Sequence, residues 1–329
     1  MRVLALTFGD ESCPSTWYRL LQYKSILAED GFELVHCPAK DFEDFQSIRD
    51  YDAVVLQKTI LSKGKVAKIA KLARYFLYDA DDRIWLRPFR PHHWLTRMRI
   101  NIRMRSIAAR ADTCIAANSV IAADLRRYGA STAIIPMALS GETWFPPERR
   151  DAPLTIGWTG SPANLPFLKV LLPIIEEIQG KHPEVRWVLH SGANPRWDSW
   201  KYEYHPFEKG KEPQVVRSFD VGLLPLPDDE FVKGKSPIKG LQYLASGTAM
   251  ICSRTPATLD FSSGKVVCLY ADAPEEWHSA IDQLIKDSSL LKEIAANGRE
   301  RFMENHDLGQ TYLMLAKALK RQLLRLAKT

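Results

Sequence analysis

Short apolar runs alternate with helical patterns along this chain, and the same alternation begins a second time near residue 154. A helical pattern runs from Ser15 or Thr16 through Ala28. Strands that alternate with helices are typical of a parallel sheet with helices on both faces. The first half therefore predicts a doubly wound α/β domain. Its strand-like runs lie at residues 3–8, 32–37, 52–57, 75–78, 112–117 and 132–137.

The second half repeats this architecture, so the predicted fold is α/β, with two facing Rossmann-like domains and parallel sheets. A length of 329 residues is long for one domain but suits two. Strand-like runs recur at 154–158, 186–190, 221–226, 249–252 and 266–270. Helical patterns lie at about 165–179, 275–286, 289–305 and 308–327. We predict a first domain at 1–139, a linker at 140–153, a second domain at 154–307, and a C-terminal helix at 308–329 that returns toward the first domain.

The cysteines and the net charge limit which cellular compartment and which binding partners the sequence is compatible with. The five cysteines are scattered and odd in number, and no Cys/His spacing suggests a zinc site. Reduced thiols in the cytoplasm are the expected state. Residues 1–9 read as a strand and not as a secretion signal, and no uncharged apolar run approaches the roughly 20 residues of a membrane span. The net charge of +6 suits nucleic acid, an anionic membrane or nucleotide phosphates, and composition does not choose among them.

The stretch 233–247 reads as a loop with glycine and lysine that runs into a short helix. Pro237 suits a first helical position, and Gly247 suits the left-handed conformation that ends a helix. An apolar strand precedes the stretch, so Lys235 and Lys239 would lie at a helix N-terminus beyond the carboxyl end of a strand. Phosphate binds there in α/β folds. The alternative is that these residues form turns and that the lysines are solvated.

Other strand ends of the second half carry small or polar residues along the same predicted edge. Gly160 and Ser161 follow one strand, and His190 and Ser191 end the next. Small residues let a ligand approach the backbone, whereas a structural role for His190 is at least as good an interpretation. The chain has no GxxxxGK(S/T) phosphate loop and no GxGxxG after the first strand. Their absence argues against a kinase or ATPase and weakens a dehydrogenase.

The first domain offers acidic candidates at the end of its fourth strand. Asp79, Asp81 and Asp82 are clustered there, and a carboxylate at such a position could orient a hydroxyl acceptor or act as a base. Capping and ion pairs with arginine are the competing interpretation. Arg19 lies on the first turn of the first helix, where it could reach a phosphate or could be an ordinary surface residue. We take Asp81, Asp82 and Arg19 as the catalytic candidates.

Segment 83–110 is the most basic part of the chain. It contains eight arginines and no acidic residue, and Trp94, Met98 and Ile100 are interleaved with them. Such a segment suits anionic lipid headgroups or an anionic, lipid-linked acceptor, which would place the protein on the inner face of the membrane. Nucleic acid would use the same residues but is not the expected partner. The structural alternative is an amphipathic helix whose apolar side faces the core.

Several stretches together resemble family 4 glycosyltransferases, which have the GT-B fold. Residues 235–249, Lys-Ser-Pro-Ile-Lys-Gly-Leu-Gln-Tyr-Leu-Ala-Ser-Gly-Thr-Ala, look like the donor-site signature of that family. Residues 135–139, followed by 144–146, are similar to the segment that closes the family's first domain, and 156–161 resemble the opening of its second. Residues 78–82 also have a counterpart in many members. The match spans most of the chain in order and is specific mainly in the second domain.

The resemblance implies transfer of a sugar from a nucleotide diphosphate donor to a glycan or glycolipid acceptor. It implies retention, no essential metal or other cofactor, and a place in cell-surface polysaccharide or glycoconjugate synthesis. Lys235 and Lys239 would hold the diphosphate, aided by the loop at Gly160. Carried onto this chain, the donor-binding residues are Gly160, Ser161, His190, Ser191, Lys235, Ser236, Pro237, Ile238, Lys239 and Gln242.

Two positions depart from the family's usual pattern. Gln242 stands where a glutamate usually meets the ribose, and Gly234 stands where another glutamate usually lies eight positions earlier. A branch of the family has the same residues as this chain at these positions, namely Gly234-Lys235, Lys239 and Gln242-Tyr243. Two alternatives to sugar transfer stay open at this point. One is a nucleotide-sugar epimerase or phosphorylase on the same architecture, and the other is a degenerate GT-B module that only binds.

Overall fold

A computed structural model describes residues 1–148, 152–262 and 264–320. Parts of two predicted segments therefore lie outside the described residues, namely 149–151 of the linker and 321–327 of the last helix. Each of two compact units has its own six-stranded parallel sheet, which confirms the predicted fold class.

The division between the units does not follow the chain order. The second unit consists of Leu139–Asp228 and Pro237–Asp307. The first consists of Met1–Ala138, Asp229–Ser236 and the residues from Leu308 onward. By its contacts, a short segment from the middle of the second half thus belongs to the first unit.

The first sheet is built from strands that read as apolar runs. They are β1 (Arg2–Thr7), β2 (Glu33–Pro38), β3 (Ala53–Gln57), β4 (Phe76–Ala80), β5 (Thr113–Ala116) and β6 (Thr132–Ile134). Their order across the sheet is β2-β1-β3-β4-β5-β6, and all pairs are parallel. Parallel strands covered on both faces are buried along their whole length, as β3 and β4 are here. β6 ends before the predicted residue 137, because Pro136 has no N–H to give to a ladder.

The helices of the first unit are α1 (Pro14–Arg19), α2 (Lys24–Glu29), α3 (Lys63–Leu72), α4 (Trp94–Ala108), α5 (Ser119–Arg127), α9 (Glu230–Lys233) and α14 (Leu308–Lys320). The prediction of one helix from Ser15 or Thr16 through Ala28 is wrong. Leu20 has a φ of −135°, outside the helical range, and a 3-10 turn over Leu21–Tyr23 separates α1 from α2.

The core of the first unit includes residues of α14. Tyr312, Leu315 and Leu319 pack in one cluster with residues of the sheet such as Val55 and Leu77. The hydroxyls of Tyr23 and Thr311 are hydrogen-bonded at 2.9 Å inside this core. The described part of the C-terminal helix is therefore an integral part of the first unit.

The second sheet has the same design. Its strands are β7 (Thr155–Gly160), β8 (Arg186–Ser191), β9 (Glu203–Pro206), β10 (Val221–Leu224), β11 (Ala249–Cys252) and β12 (Leu269–Tyr270). Their order is β12-β11-β10-β7-β8-β9, again with parallel pairs. Buried side chains such as Ile175, Trp187 and Trp277 form its core. Residues 193–212, whose sequence shows no clear strand or helix pattern, contain the edge strand β9.

The helices of the second unit are α6 (Leu165–Lys169), α7 (Leu172–Lys181), α8 (Glu212–Val216), α10 (Ile238–Ala245), α11 (Pro256–Leu259), α12 (Pro274–Lys286) and α13 (Ser288–Asn305). The predicted helix over 165–179 is divided in two, because Pro173 starts a new first turn and cannot continue the earlier one. Pro237 caps α10 with a ψ of 70° and is not its first helical residue. Gly247 has a φ of 63°, which confirms the predicted left-handed helix end.

In each sheet the strand order reverses at one place. From β1 the chain proceeds to β2 on one side and then to β3 on the other, and β7 lies in the same way between β8 and β10. Open α/β sheets bind ligands beyond the carboxyl ends of the strands at this point. We call these places the first edge, beyond β1 and β3, and the second edge, beyond β7 and β10.

Candidate active site

At the second edge a tyrosine hydroxyl separates the two central strands. β10 pairs with β7 only through Val221 and Gly222. Beyond that point the Tyr243 hydroxyl accepts a hydrogen bond from Thr159 N at 3.1 Å and donates one to Leu223 O at 3.1 Å. A Cβ at Gly222 would lie 2.6 Å from the Tyr243 ring, so the absence of a side chain admits the ring. The hydroxyl thus satisfies both backbone groups while the strands part.

Apart from Trp187, Trp200 and Ser246, three polar side chains of the second unit are buried with an atom that has no hydrogen-bond partner among the described residues. The atoms are His190 Nε2, Ser191 Oγ and Gln242 Oε1, and each of these residues is 1% exposed. His190 and Ser191 end β8, whereas Gln242 lies on α10. Nearly all buried polar groups are paired in native proteins, because an unpaired one costs about 1–3 kcal/mol. A polar ligand or ordered water at these atoms would supply the missing partners.

The environment of His190 makes it an uncharged hydrogen-bonding group. Its Nδ1 lies 2.9 Å from Thr159 Oγ1, and the Phe207 ring stacks on the imidazole at a centroid distance of 5.9 Å. Burial, followed by the charges of Lys239 and His205, lowers the pKa of His190 from 6.5 to about 4. At neutral pH the imidazole is therefore neutral and can offer a hydrogen bond without adding charge.

The N-terminus of α10 adds positive potential to the second edge. In the part of the chain that the structure describes, no side chain caps this helix, and Lys239 lies on its first turn. The first N–H groups of a helix and its dipole attract anions. Pro237, Ile238 and Lys239 are all partly exposed, so a ligand can reach this helix end.

The loop after β7 brings backbone to the same edge. A Cβ at Gly160 would lie 2.3 Å from the ring of Trp158, so only glycine fits at this position. Ser161 follows it in an extended conformation, is exposed, and leads into a 3-10 turn. The second edge therefore combines a tight glycine position, a helix N-terminus and a lysine, which is the chemistry that a phosphorylated ligand requires.

At the first edge a lysine gathers the predicted carboxylates. Lys58 follows β3, and its Nζ lies 2.8 Å from Ser15 Oγ, 3.3 Å from Asp81 and 2.5 Å from Asp82. Ser15 Oγ donates in turn to Asp81 at 2.9 Å. Lys58 has a φ of 49°, in the left-handed region where a residue with a side chain is strained. The backbone conformation at Lys58 is therefore one that the surroundings must hold in place.

Charges at the first edge shift one another's ionisation. Burial alone would lower the pKa of Lys58, but Asp81 and Asp82 raise it above its ordinary value. Burial and the Asp81 charge raise the pKa of Asp82, in spite of Lys58 and Lys235. A carboxylate with a raised pKa accepts a proton more readily, so Asp82 suits a general base better than an ordinary surface aspartate does.

Arg19 is not the surface residue that one interpretation of the sequence allowed. Its side chain is buried and donates to both carboxylate oxygens of Asp79, at 3.1 and 2.5 Å. The same guanidinium donates to the carbonyl oxygens of Ile135 at 2.9 Å and Pro136 at 3.2 Å. Burial alone would lower the pKa of Arg19, but Asp79 outweighs it and raises the pKa. Arg19 thus ties α1 to the end of β4 and to the chain that leaves β6.

The segment Asp229–Ser236 packs against the first sheet's helices and loops. Asn118 Nδ2 donates to Gly234 O at 3.0 Å, and Ser236 Oγ donates to Asp81 O at 3.0 Å. Burial lowers the pKa of Lys235, while the nearby Asp82 acts in the opposite direction. Lys235 and Ser236 are therefore neighbours of the carboxylates at the first edge.

Gly234 is held against the stem of an arginine. A Cβ there would lie 2.3 Å from Arg83 Cδ and 2.4 Å from its Cγ. Arg83 cannot move away freely, because it is buried and pairs with Asp124 at 2.7 Å and with Glu230 at 3.2 Å. The glycine that departs from the family pattern is thus explained by packing within the first unit.

The structure distributes the predicted residues between the two units. The first unit holds the catalytic candidates Asp81, Asp82 and Arg19, together with the donor candidates Lys235 and Ser236. The second unit holds the remaining donor candidates, which are Gly160, Ser161, His190, Ser191, Pro237, Ile238, Lys239 and Gln242. The two lysines that the sequence assigned to one diphosphate site thus belong to different units.

Sequence reasoning missed Lys58, Ser15 and the hydroxyl of Tyr243. A lysine immediately after the buried run Val54–Leu56 was an available signal for Lys58, because strand ends in such sheets carry ligand-binding residues. The roles of Ser15 and Tyr243 depend on partners 66 and 84 residues away, which no local pattern gives.

Metal and membrane features were searched over residues 1–148, 152–262 and 264–320. Within these ranges, no group of three or more His, Cys, Asp or Glu side chains is placed to hold a metal ion. None of the helices in these ranges has both the length and the hydropathy that crossing a membrane would take.

Comparison with known proteins agrees with this geometry. Residues 172–315 match the family model described as "Glycosyl transferase-like". No curated protein sequence matches the chain. Among solved structures, sucrose-phosphate synthase from Thermosynechococcus elongatus is 14% identical, with a TM-score of 0.76 and coverage of 98% of this chain and 99% of that one.

HepE from Anabaena is similar over the same length. Its complex with UDP is 12% identical, with a TM-score of 0.71 and coverage of 98% and 100% of the two chains. Its complex with UDP-glucose is 13% identical, with a TM-score of 0.68 and the same coverage. Identities this low establish the shared fold, whereas the family match bears on the class of activity. Together with the two parallel sheets, the solved structures show that the chain has the GT-B fold, and the match over residues 172–315 supports glycosyl transfer as the class of activity.

Proposed function

We propose that the protein transfers a sugar from a nucleotide diphosphate donor, with the donor bound at the second edge. The observation that carries the proposal is the set of buried polar atoms without partners at His190, Ser191 and Gln242, beside the N-terminus of α10. The solved complexes of HepE with UDP and UDP-glucose support a uridine nucleotide as the first donor to test.

Within this proposal each part of the second edge has a task. The Gly160 loop and the first N–H groups of α10 bind the diphosphate, and Lys239 neutralises its charge. Gln242 meets the ribose, and neutral His190 with Ser191 offers hydrogen bonds to the donor. Positive charge near the diphosphate stabilises it as it leaves, while positive charge develops on the sugar ring.

The acceptor side of the proposal rests on the first edge. Asp82 has a raised pKa and a hydrogen bond from Lys58, so it would accept the proton of the acceptor hydroxyl. Asp81 would orient the hydroxyl, and Lys235 would add positive charge beside the carboxylates. We propose a glycan or lipid-linked acceptor in cell-surface polysaccharide or glycoconjugate synthesis at the cytoplasmic side of the membrane.

Retention without an essential metal is part of the proposal and follows from the resemblance to family 4. Lys239 and the N-terminus of α10 would provide the positive charge that the diphosphate requires. Anomeric NMR of the product would show the stereochemistry, and transfer that persists in EDTA would support metal independence. An inverted product or complete loss of transfer in EDTA would contradict this part of the proposal.

Nucleotide binding is the first experiment, because it needs no knowledge of the acceptor. A thermal-shift panel of UDP, GDP, dTDP and CMP sugars should raise the Tm for one nucleotide, since a ligand that binds only the folded state stabilises it. Lys239→Ala should weaken that nucleotide about 10- to 100-fold, because it removes a charge-assisted contact. Lys292→Ala, an exposed lysine of α13, is the matched control and should bind as the wild type does. A wild-type Kd in Lys239→Ala would contradict the donor site.

Transfer itself tests the role of the first edge. Lys235→Ala should stay folded and lose transfer. The Kd of the nucleotide for this variant should equal that of the wild type, because we place Lys235 beside the acceptor carboxylates and not at the diphosphate. Near-normal turnover by this variant would count strongly against the role assigned to Lys235.

A further inference from the structure

Helix α4 presents an apolar stripe to solvent. Trp94, Met98 and Ile102 are 65%, 48% and 50% exposed, and their four-residue spacing places them along one side of the helix. Leu95 is exposed beside them. At 1.5 Å per residue the stripe is about 12 Å long. The helix buries other residues, such as Met104 and Ile107, so the stripe is additional to the core-facing side.

Arginines border this stripe. At 3.6 residues per turn, Arg97 falls on one side of it and Arg99 on the other, and Arg105 extends its C-terminal end. All three are exposed, and none forms an ion pair with a carboxylate among the described residues. Segment 83–110 has no acidic residue to compensate them. The face is therefore both apolar and strongly positive.

The turn before α4 continues the same chemistry. Phe89 is exposed, has a φ of 59°, and donates its N–H to Asp229 at 2.9 Å. Arg87 and Arg90 on either side of it are exposed as well. A left-handed residue with a large apolar side chain is unusual, and here the backbone hydrogen bond holds the turn that carries it. The basic and apolar surface thus begins before the helix does.

We propose that this surface, the exposed face of α4 with the turn at Phe89, docks on an anionic lipid bilayer. The apolar stripe would enter the boundary between headgroups and acyl chains, and the flanking arginines would bind lipid phosphates. An arginine near an anionic membrane surface strengthens binding about fivefold. Charge complementarity selects this occupant, because the surface offers several unpaired cations around an apolar centre.

Other occupants fit the surface less well. A second copy packed face to face on α4 would bring two sets of arginines together, because segment 83–110 has no acidic residue to pair with them. Single-stranded nucleic acid binds through aromatic stacking, whereas most of this stripe consists of the aliphatic side chains of Leu95, Met98 and Ile102. The proposal does not depend on sugar transfer, because lipid binding is measured without any donor or acceptor.

Vesicle sedimentation of the full chain tests the proposal. The protein should sediment with vesicles that contain about 40% phosphatidylglycerol in phosphatidylcholine, and should stay in solution with phosphatidylcholine alone. Raising the salt concentration should weaken the binding, because salt screens the arginines. Equal binding to both vesicle types, or to neither, would overturn the proposal.

Matched variants locate the surface. Arg97→Glu/Arg99→Glu should weaken vesicle binding at least about 25-fold, and Trp94→Ser/Met98→Ser about tenfold or more, because each removes one component of the attraction. Lys63→Glu/Lys65→Glu on α3 makes the same change in net charge at another exposed helix, and Leu313→Ser removes an exposed leucine from α14. Both controls should bind vesicles within about twofold of the wild type.

Three results would overturn the assignment. The first is an equal loss of vesicle binding in the Lys63→Glu/Lys65→Glu control. The second is a dimer in sedimentation velocity that Trp94→Ser/Met98→Ser dissociates, since a second copy would then cover the stripe. The third is RNA or DNA binding that is lost in Arg97→Glu/Arg99→Glu while vesicle binding is unchanged. A Tm equal to the wild type for each variant would show that these exposed positions leave the fold intact.

Discussion

The two edges lie at equivalent places in two similar sheets, yet the first gathers paired charges and the second gathers buried neutral groups. At the first edge, Asp79, Asp81 and Asp82 each have a cationic partner, either Arg19 or Lys58, although Gln57 Nε2 at the end of β3 has no hydrogen-bond partner among the described residues. At the second edge, His190, Ser191 and Gln242 are buried with atoms that have no partner among the described residues. The same topology thus supports one edge whose charges are paired and one whose buried neutral side chains keep unpartnered atoms.

This difference separates two ways of building a site. Paired charges hold one another in fixed positions, so the first edge can present Asp82 in a defined orientation before any substrate arrives. Each buried neutral group without a hydrogen bond costs free energy, so a ligand that supplied the missing hydrogen bonds at the second edge would bind favourably. The comparison is tested by variants that remove one partner of an ion pair at the first edge, and by conditions that place a charge on a neutral group at the second edge.

The largest effect is expected from breaking the buried pair of Arg19 and Asp79. Arg19→Met leaves Asp79 as an unpaired carboxylate in the core, and we expect the free energy of unfolding to fall by about 3–5 kcal/mol. Urea denaturation of the variant measures the loss. Arg19→Met/Asp79→Leu should recover most of it, because no buried charge remains.

The control for this pair lies at the surface of the same unit. Arg2→Met breaks the exposed pair with Glu33 and should leave the urea midpoint almost unchanged, since exposed ion pairs stabilise little. If Arg19→Met/Asp79→Leu is no more stable than Arg19→Met, the loss comes from contacts of Arg19 other than its ion pair with Asp79. Lost transfer with unchanged stability would instead return Arg19 to the catalytic candidates.

A smaller effect is expected from charging the second edge by lowering the pH. The folded state holds the pKa of His190 at about 4, below its ordinary 6.5, so protons bind the unfolded chain more readily between these values. The stability that His190 contributes is complete above pH 6.5 and is lost as the pH falls to 4, and the loss is about 3 kcal/mol. The Tm of the wild type should therefore fall more over this range than that of His190→Gln. Parallel Tm curves for the two proteins would show that His190 is not held neutral by burial.

Prediction from sequence succeeded where the signal was local. Continuous apolar runs predicted the parallel strands correctly, because both faces of each sheet are buried. Gly247 correctly predicted a helix end in the left-handed conformation. Half of the candidates at the second edge were found for the same reason, since Gly160, Ser161, His190 and Ser191 lie within one residue of a strand end. Whether they bind a donor stays a prediction.

The features that the sequence did not predict depend on contacts between residues that are far apart in the chain. Arg19 and Asp79 are 60 residues apart, and neither position by itself reveals that the other neutralises it. Lys58 takes its role from a strained backbone conformation that only the assembled edge can hold. The segment Asp229–Ser236 joins the first unit through contacts with Asn118 and Asp81, although its neighbours in the chain belong to the second.

The smallest effect is expected at Gly234, where a single methyl group tests how rigid the first edge is. Its φ of −101° suits alanine, so any cost of Gly234→Ala must come from contact with Arg83 and not from backbone strain. We expect a loss of about 1–3 kcal/mol in urea denaturation, because Arg83 is fixed by Asp124. Gly64→Ala in α3 is the matched control, since a Cβ there meets nothing within 4 Å, and it should stabilise slightly. If Gly234→Ala is as stable as the wild type, Arg83 can yield, and packing no longer explains why this chain lacks the family's glutamate.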